Sequence, residues 1–324
     1  MKKYHVTLLV LLALATAITV GCGVTAPKAT PPTFTKVPFV SSRASSSVFL
    51  MNLDGSSLAG IATGNSNGIY SPSTSADLTV VAYTAGSDVW VTDSTGKTPV
   101  QLTNNVANNY YSFYVKVSPD GKHLLYNLYN GSNYHMLIMN PDGTGSVDLT
   151  SPPPSGMTDC YSGSFSADSS KIAFTCEGAD SGSLYVMNAD GTGTTQVYFQ
   201  SGFLDSAMFT ADSTQLLFVA YNDGVSAAAA RHNLRAFPHR AFRPATANTV
   251  SYNYAIVSTN LDGSGLTTLV PNAYEGVILN SNLYYTLYSS DLSLDQIYQS
   301  NIDGSSAVSI SDGTASDYLG VSSD

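Results

Sequence analysis

One short pattern recurs six times along this 324-residue chain: an apolar strand, two or three polar residues, Asp-Gly or a close substitute, then a return. It stands at VFLMNLDGSS (48–57), VWVTDSTGKT (89–98), HMLIMNPDGTG (135–145), SLYVMNADGTG (183–193), AIVSTNLDGSG (255–265) and IYQSNIDGSS (297–306). Its glycines, Gly55, Gly96, Gly143, Gly191, Gly263 and Gly304, fall 41 to 48 residues apart, with one interval of 72. Asp-Gly between alternating apolar runs is a strong hairpin signal, because these residues accept the positive φ that a tight turn demands. Self-similarity at this period marks a repeat architecture.

A second pattern alternates with the first: SPSTSADLTVVAYT (71–84), VKVSPDGKHLLYNL (115–128), GSFSADSSKIAFTC (163–176) and AMFTADSTQLLFVA (207–220). Each reads as a short strand, a Ser/Thr-x-Asp turn and a strand apolar on both faces. Two hairpins per period make four strands, which is a propeller blade. The chain ends on DYLGVSSD (317–324), the first strand of a repeat, and its folded part begins on KVPFVSS (36–42), the second strand. Pairing the two completes a split blade and removes the free sheet edges. The expectation is an all-β, six-bladed β-propeller of four-stranded antiparallel blades over 35–324, closed by the C-terminal strand. Only 11% of residues are charged, against about 25% in ordinary soluble chains, which suits short strands joined by small polar turns.

SPDGKHLLY, ADSSKIAF and LYVMNADGTG resemble the WD-like repeats of TolB-like propellers, and the resemblance covers nearly the whole folded part. It implies the propeller fold and a place in the bacterial envelope. TolB itself carries an additional N-terminal α/β domain, for which this chain has no room, so membership of the Tol-Pal system is not implied.

The N-terminus reads as an address. Lys2 and Lys3 precede an apolar run from Val6 to Val20, too short for the ~20 residues of a membrane-spanning helix. It ends at Thr19-Val20-Gly21-Cys22, which resembles the lipobox of bacterial lipoproteins, with Thr19 where Leu is usual. The expected organisation is a signal peptide over 1–21, then lipidated Cys22 and a Pro-rich flexible linker through 34. The domain would sit in the periplasm or at the cell surface, on the outer membrane by default because Gly23 is not the Asp of inner-membrane retention.

The chain is acidic, with 23 Asp and Glu against 13 Lys and Arg and a pI near 4.7. That excludes nucleic acid as a partner, which demands a basic footprint. The basic charge is concentrated between Tyr221 and Ser251, in the long interval: Arg231, Arg235, Arg240 and Arg243, with His232 and His239. This insertion over 222–250 reads either as a cationic arm for an acidic partner, since Arg offers forked contacts to carboxylate or phosphate, or as a loop over its own acidic propeller. The connections NNVANNYY (104–111), SPPPSGMTD (151–159), QSGFLDS (200–206) and PNAYEG (271–276) vary and share its face, so that face is where binding is expected. Tyr110, Tyr111 and Tyr274 are its candidate platform.

Catalytic and metal signals are thin. Glu177 and Glu275 are the only glutamates, and neither G-x-S-x-G nor HExxH occurs. Asn140-x-Asp142-Gly143 and Asn188-x-Asp190-Gly191 resemble pieces of calcium loops but lack the further carboxylates of such a loop. No cofactor and no metal site are expected. Cys160 and Cys176 lie in neighbouring strands of one hairpin: pairing about Asp168 sets them opposite and allows a disulfide, whereas matching Phe165 to Ile172 implies a one-residue slip. The sequence leaves both open. The expectation for function is a monomeric, non-catalytic scaffold binding an envelope protein or glycan, with a polysaccharide- or peptide-cleaving propeller enzyme as the alternative.

Overall fold

The computed structural model describes residues 33–42, 47–63, 68–221, 254–289 and 294–319. Signal peptide, Cys22, most of the linker and the arm with its four arginines and two histidines lie outside the described residues.

Among the described residues, twenty-four strands form six four-stranded antiparallel sheets. The first blade holds β1 (Lys36–Ser41), β2 (Ser47–Asn52) and β3 (Ala59–Thr63). The second holds β4 (Ile69–Thr74), β5 (Val81–Ala85), β6 (Asp88–Thr92) and β7 (Val100–Gln101), and the third β8 (Tyr111–Val117), β9 (Leu124–Tyr129), β10 (Tyr134–Met139) and β11 (Val147–Asp148). The fourth comprises β12 (Asp159–Phe165), β13 (Lys171–Glu177), β14 (Ser181–Asn188) and β15 (Thr195–Ser201). The fifth comprises β16 (Leu204–Phe209), β17 (Gln215–Tyr221), β18 (Tyr254–Asn260) and β19 (Thr267–Pro271). The sixth contains β20 (Glu275–Leu279), β21 (Asn282–Ser289), β22 (Leu294–Asn301) and β23 (Val308–Ser309). The last strand, β24 (Asp317–Tyr318), returns to the first blade and pairs Val40 with Tyr318 and Ser41 with Asp317. The propeller is closed as the split repeat requires.

Each seam between blades carries its own apolar cluster. Val40, Val48, Ile69 and Val81 join the first two blades, and Ala82, Val89, Val115 and Leu124 the next pair. Leu125, Met136, Ile172 and Phe174 follow, then Leu184, Leu204, Leu216 and Phe218. Met208, Ile256, Leu283 and Tyr285 join the fifth blade to the sixth, and Phe39, Met51, Tyr284 and Ile297 close the ring. The second strand of a blade lies between its sheet neighbours and both adjoining blades, which is why β13 and β17 are buried along nearly their whole length without alternation.

The two turn patterns are built on aspartate. In Asn140-Pro-Asp-Gly-Thr, Asp142 Oδ1 accepts from the Thr144 N–H (2.9 Å) and hydroxyl (2.6 Å), and Gly143 alone takes a left-handed φ of +83°. This is a type I turn followed by a left-handed glycine, rather than a two-residue turn with both centres at positive φ. Asp54, Asp190, Asp262 and Asp303 repeat it. In the other turn Asp120 accepts from the Ser118 hydroxyl (2.7 Å) and the Lys122 N–H (3.1 Å), and Asp77, Asp168 and Asp212 do the same. A Cβ on Gly96 would collide with the Ile61 carbonyl of the neighbouring blade, so this glycine is fixed by close approach as well as by φ.

The cysteine register contains both alternatives. Cys160 stands opposite Cys176, and five residues later Phe165 stands opposite Ile172. Both hold because a β-bulge between Tyr161 and Ser164 shifts the register by one. The cysteines form a disulfide with Sγ atoms 2.05 Å apart, fully buried in the fourth blade.

Candidate functional site: the central channel

The innermost strands line the channel, and four of them carry the same defect. Register shifts fall between Tyr70 and Ser73, Phe113 and Val115, Tyr161 and Ser164, and Asp205 and Met208. At each, one non-glycine residue adopts a left-handed φ near +50°: Ser71, Tyr114, Ser162 and Ser206. A bulge re-aims side chains and occurs preferentially beside functional sites. Here Tyr114, Ser162 and Ser206 border the cavity.

That cavity holds about 130 Å³ of space and opens at the ends of the inner strands, beside the Ser/Thr-x-Asp turns. Its wall is mostly carbon, from Pro38, Pro72, Val117, Phe165, Met208, Phe209, Val277 and Leu279, with Phe34 and Leu319 at the rim. Into this wall project Tyr114 and Lys116 from β8. The Tyr114 hydroxyl reaches to 3.4 Å from Asp205 Oδ2 on β16, past the blade between them. Asp205 and Glu275 are both buried, and their charges act on Lys116.

Removal from water governs the titration of this group. It holds the Lys116 ammonium below the ordinary lysine value, with the Glu275 and Asp205 carboxylates pulling it back up. Burial raises the Asp205 carboxyl, against the Ser162 hydroxyl, the Ser206 N–H at 2.6 Å, Tyr114 and the Lys116 charge. Burial also puts the Tyr114 phenol well above its usual value, with the Asp205 and Glu275 charges adding to it. Within the cavity itself Lys116 is the one charged lining residue, with Tyr114, Ser162 and Ser206 beside it and the Asp205 and Glu275 carboxylates acting from outside the lining. Such a wall can hold a polar end group by hydrogen bond and charge while its carbon surface covers an apolar or sugar-ring body.

The opposite face, below the variable loops, carries a run of packed rings on first, second and third strands. Tyr111, Tyr129 and Tyr134 lie in succession with centroids 4.9 Å apart, and Tyr134 continues to Tyr161 at 6.2 Å. The run goes on through Phe203, Tyr221 and Tyr254 to Tyr274, at 4.9–5.9 Å per step. Of the three platform candidates, Tyr274 is buried and donates its hydroxyl to Asp295 Oδ1 at 2.7 Å. Tyr111 is half-buried with its hydroxyl 3.3 Å from that of Tyr134, and Tyr110 is half-buried at the end of the same loop. Buried acids hold this end together: Asp88 accepts from the Thr103 hydroxyl, the Asn105 N–H and Gln101, Asp159 from the Tyr134 N–H, and Glu177 from the Tyr161 hydroxyl.

Sequence reasoning did not single out Tyr114, Lys116 or Asp205. In FYVKV, Lys116 reads as the solvent-facing polar residue of an alternating strand, and only closure of the ring turns that face onto the axis. Among the described residues no three His, Cys, Asp or Glu side chains come together as a metal-holding group. No described helix is long and apolar enough to cross a membrane.

No protein-family model matches the sequence, and a search of curated proteins returns no match. Solved structures do match. The chain superposes on TolB from Acinetobacter baumannii with a TM-score of 0.66 at 14% identity, over 88% of this chain and 65% of that one. It therefore spans less than two thirds of that TolB. A putative TolB from Agrobacterium tumefaciens follows at TM-score 0.58 and 13% identity, over 89% and 91%. The fold is that of a TolB-like propeller. The TolB-like blade arrangement also matches a chain of a nidogen/laminin complex, with TM-score 0.62 and 12% identity over 87% and 96%. At these identities the matches speak for the fold.

Proposed function

We propose that this TolB-like propeller is a monomeric, non-catalytic binding protein of the bacterial envelope, tethered through lipidated Cys22, with an envelope protein or glycan as partner. The observation that carries the reading is how the acids are used. Those of the turns are committed to N–H and hydroxyl groups two residues away, and Asp88, Asp159, Glu177 and Asp295 hold loops and tyrosines. The apolar recess is lined by Lys116 as its one charged side chain, with the Asp205 and Glu275 charges acting on it, an arrangement suited to holding a ligand. Propellers that match in fold include a member of a nidogen/laminin complex, which supports protein recognition as a use of this shape. The arm residues Arg231, His232, Arg235, His239, Arg240 and Arg243 would supply the cationic contacts of the variable-loop face.

The test is equilibrium binding of the mature domain to purified envelope glycan fragments and, separately, to cross-linked envelope proteins, followed by mass analysis of the recovered partner. Saturable recovery of an unaltered partner supports the proposal, and recovery of a shortened glycan or peptide with turnover replaces it with the enzyme reading. Unchanged recovery after deletion of 223–250 would remove the arm from the interface.

A further inference from the structure

The chain enters the propeller at the mouth of the channel cavity. Asn280, at the turn between β20 and β21, grips Phe34 from both sides. Its Oδ1 accepts from the Phe34 N–H at 2.9 Å, and its Nδ2 donates to the Phe34 carbonyl at 3.0 Å. Asn280 sits in the left-handed region at φ +59°, a conformation that asparagine tolerates better than most residues. Phe34 itself borders the cavity, as does Leu319 near the other end of the propeller. The point where the tether leaves the fold is thereby fixed beside the channel, on the face of the Ser/Thr-x-Asp turns.

We infer that the channel mouth of the anchored protein faces the membrane and the variable-loop face looks away from it. This rests on lipidation of Cys22. Eleven residues, Gly23 to Thr33, separate that cysteine from Phe34, and they reach at most about 36–40 Å when fully extended. The turn face can lie over the bilayer at any separation within that reach. To bring the far face down, the tether must first cross the outer strands, at about 4.8 Å each, and then run the ~20 Å length of a blade strand, before any loop is passed. That takes most of the fully extended length. The ligand of the Lys116 recess must then come from the layer next to the membrane, whereas a large soluble partner meets the variable loops.

The experiment uses the full lipidated chain in vesicles, labelled with a fluorophore at K122C or, separately, at S132C. Lys122 is exposed on the channel-mouth face and Ser132 is exposed in the β9–β10 loop of the opposite face; Cys160 and Cys176 are bonded and do not compete for the label. Quenching by a headgroup nitroxide lipid is expected to be at least about threefold stronger at position 122, and a Gly/Ser insert of about twenty residues after Thr33 should abolish the difference. Equal quenching at the two positions, or stronger quenching at 132, in protein that floats with the vesicles overturns the orientation and leaves the anchor standing. A difference that survives the insert overturns the tether as its cause. Failure of the wild-type chain to float, like its C22A variant, overturns the anchor and the orientation with it.

Discussion

The two ends of the channel use the same residue type in opposite ways. On the turn face, aspartates act locally: each accepts from groups two residues further on, is exposed or nearly so, and shapes only its own hairpin. On the loop face, acids act at long range. Asp88 gathers a loop thirteen to seventeen residues away, and Asp295 anchors Tyr274 from 21 residues away. These caps shape each turn from within, and neighbouring turns meet through backbone donors: the Ala76 N–H donates to the Pro119 carbonyl at 3.1 Å and the Asp120 N–H to the Ser169 hydroxyl at 3.3 Å. Long-range anchors combine with the ring contacts to tie neighbouring strands and blades together on the other face.

Breaking the ring-packed face should have the largest effect. Phe203→Ala removes a buried ring that bridges Tyr161 and Tyr221, and urea unfolding should show a loss of about 3–5 kcal/mol. Replacing Cys160 and Cys176 with alanine frees a segment of sequence separation 16, with an expected loss of about 3 kcal/mol. The same shift should follow when the wild type is unfolded under reductant. Asp88→Ala leaves the Thr103, Asn105 and Gln101 donors without their acceptor and should cost about 2 kcal/mol. Asp142→Ala on the turn face should shift the urea midpoint distinctly less, and a larger effect from it would erase the contrast between the ends.

Acid sharpens the comparison from the other side. Hydroxyl and N–H donors hold Asp54, Asp93, Asp142, Asp190, Asp262 and Asp303 below the ordinary aspartate value of 3.8. Carboxylates with lowered folded values contribute stability that is present above the unfolded value and lost as pH falls through the folded one. The urea midpoint should therefore hold near neutrality and decline below about pH 4. Asp205 has the reverse sign: raised by burial, it favours the fold when protonated, and that contribution is lost as pH rises from 3.8 through its raised folded value. Asp205→Asn should remove this opposing slope, read as a small gain in midpoint at pH 7 relative to pH 3.

The fold was legible because its turn chemistry is repeated; Asp-Gly and Ser-x-Asp mark their hairpins whatever lies between them. The site was less so. Register in the fourth blade depended on a bulge at Ser162, a residue that does not advertise a left-handed backbone, and the same is true of Ser71, Tyr114 and Ser206. Lys116 and Tyr114 acquire their surroundings from blades far away in sequence, so no local window contains the cluster. Tyr274 was placed on the correct connection, but its burial follows from Asp295, which the sequence reading did not pair with it.

The seam of the first blade has a consequence in time. Val40 and Ser41 wait for Tyr318 and Asp317, so the start of the domain gains its last sheet neighbour only when the end has been made. Closing a ring across nearly the whole chain carries the largest loop entropy in the molecule, and it is repaid at a late stage. Five blades can gather as the chain is made, but the ring cannot shut until the final strand arrives.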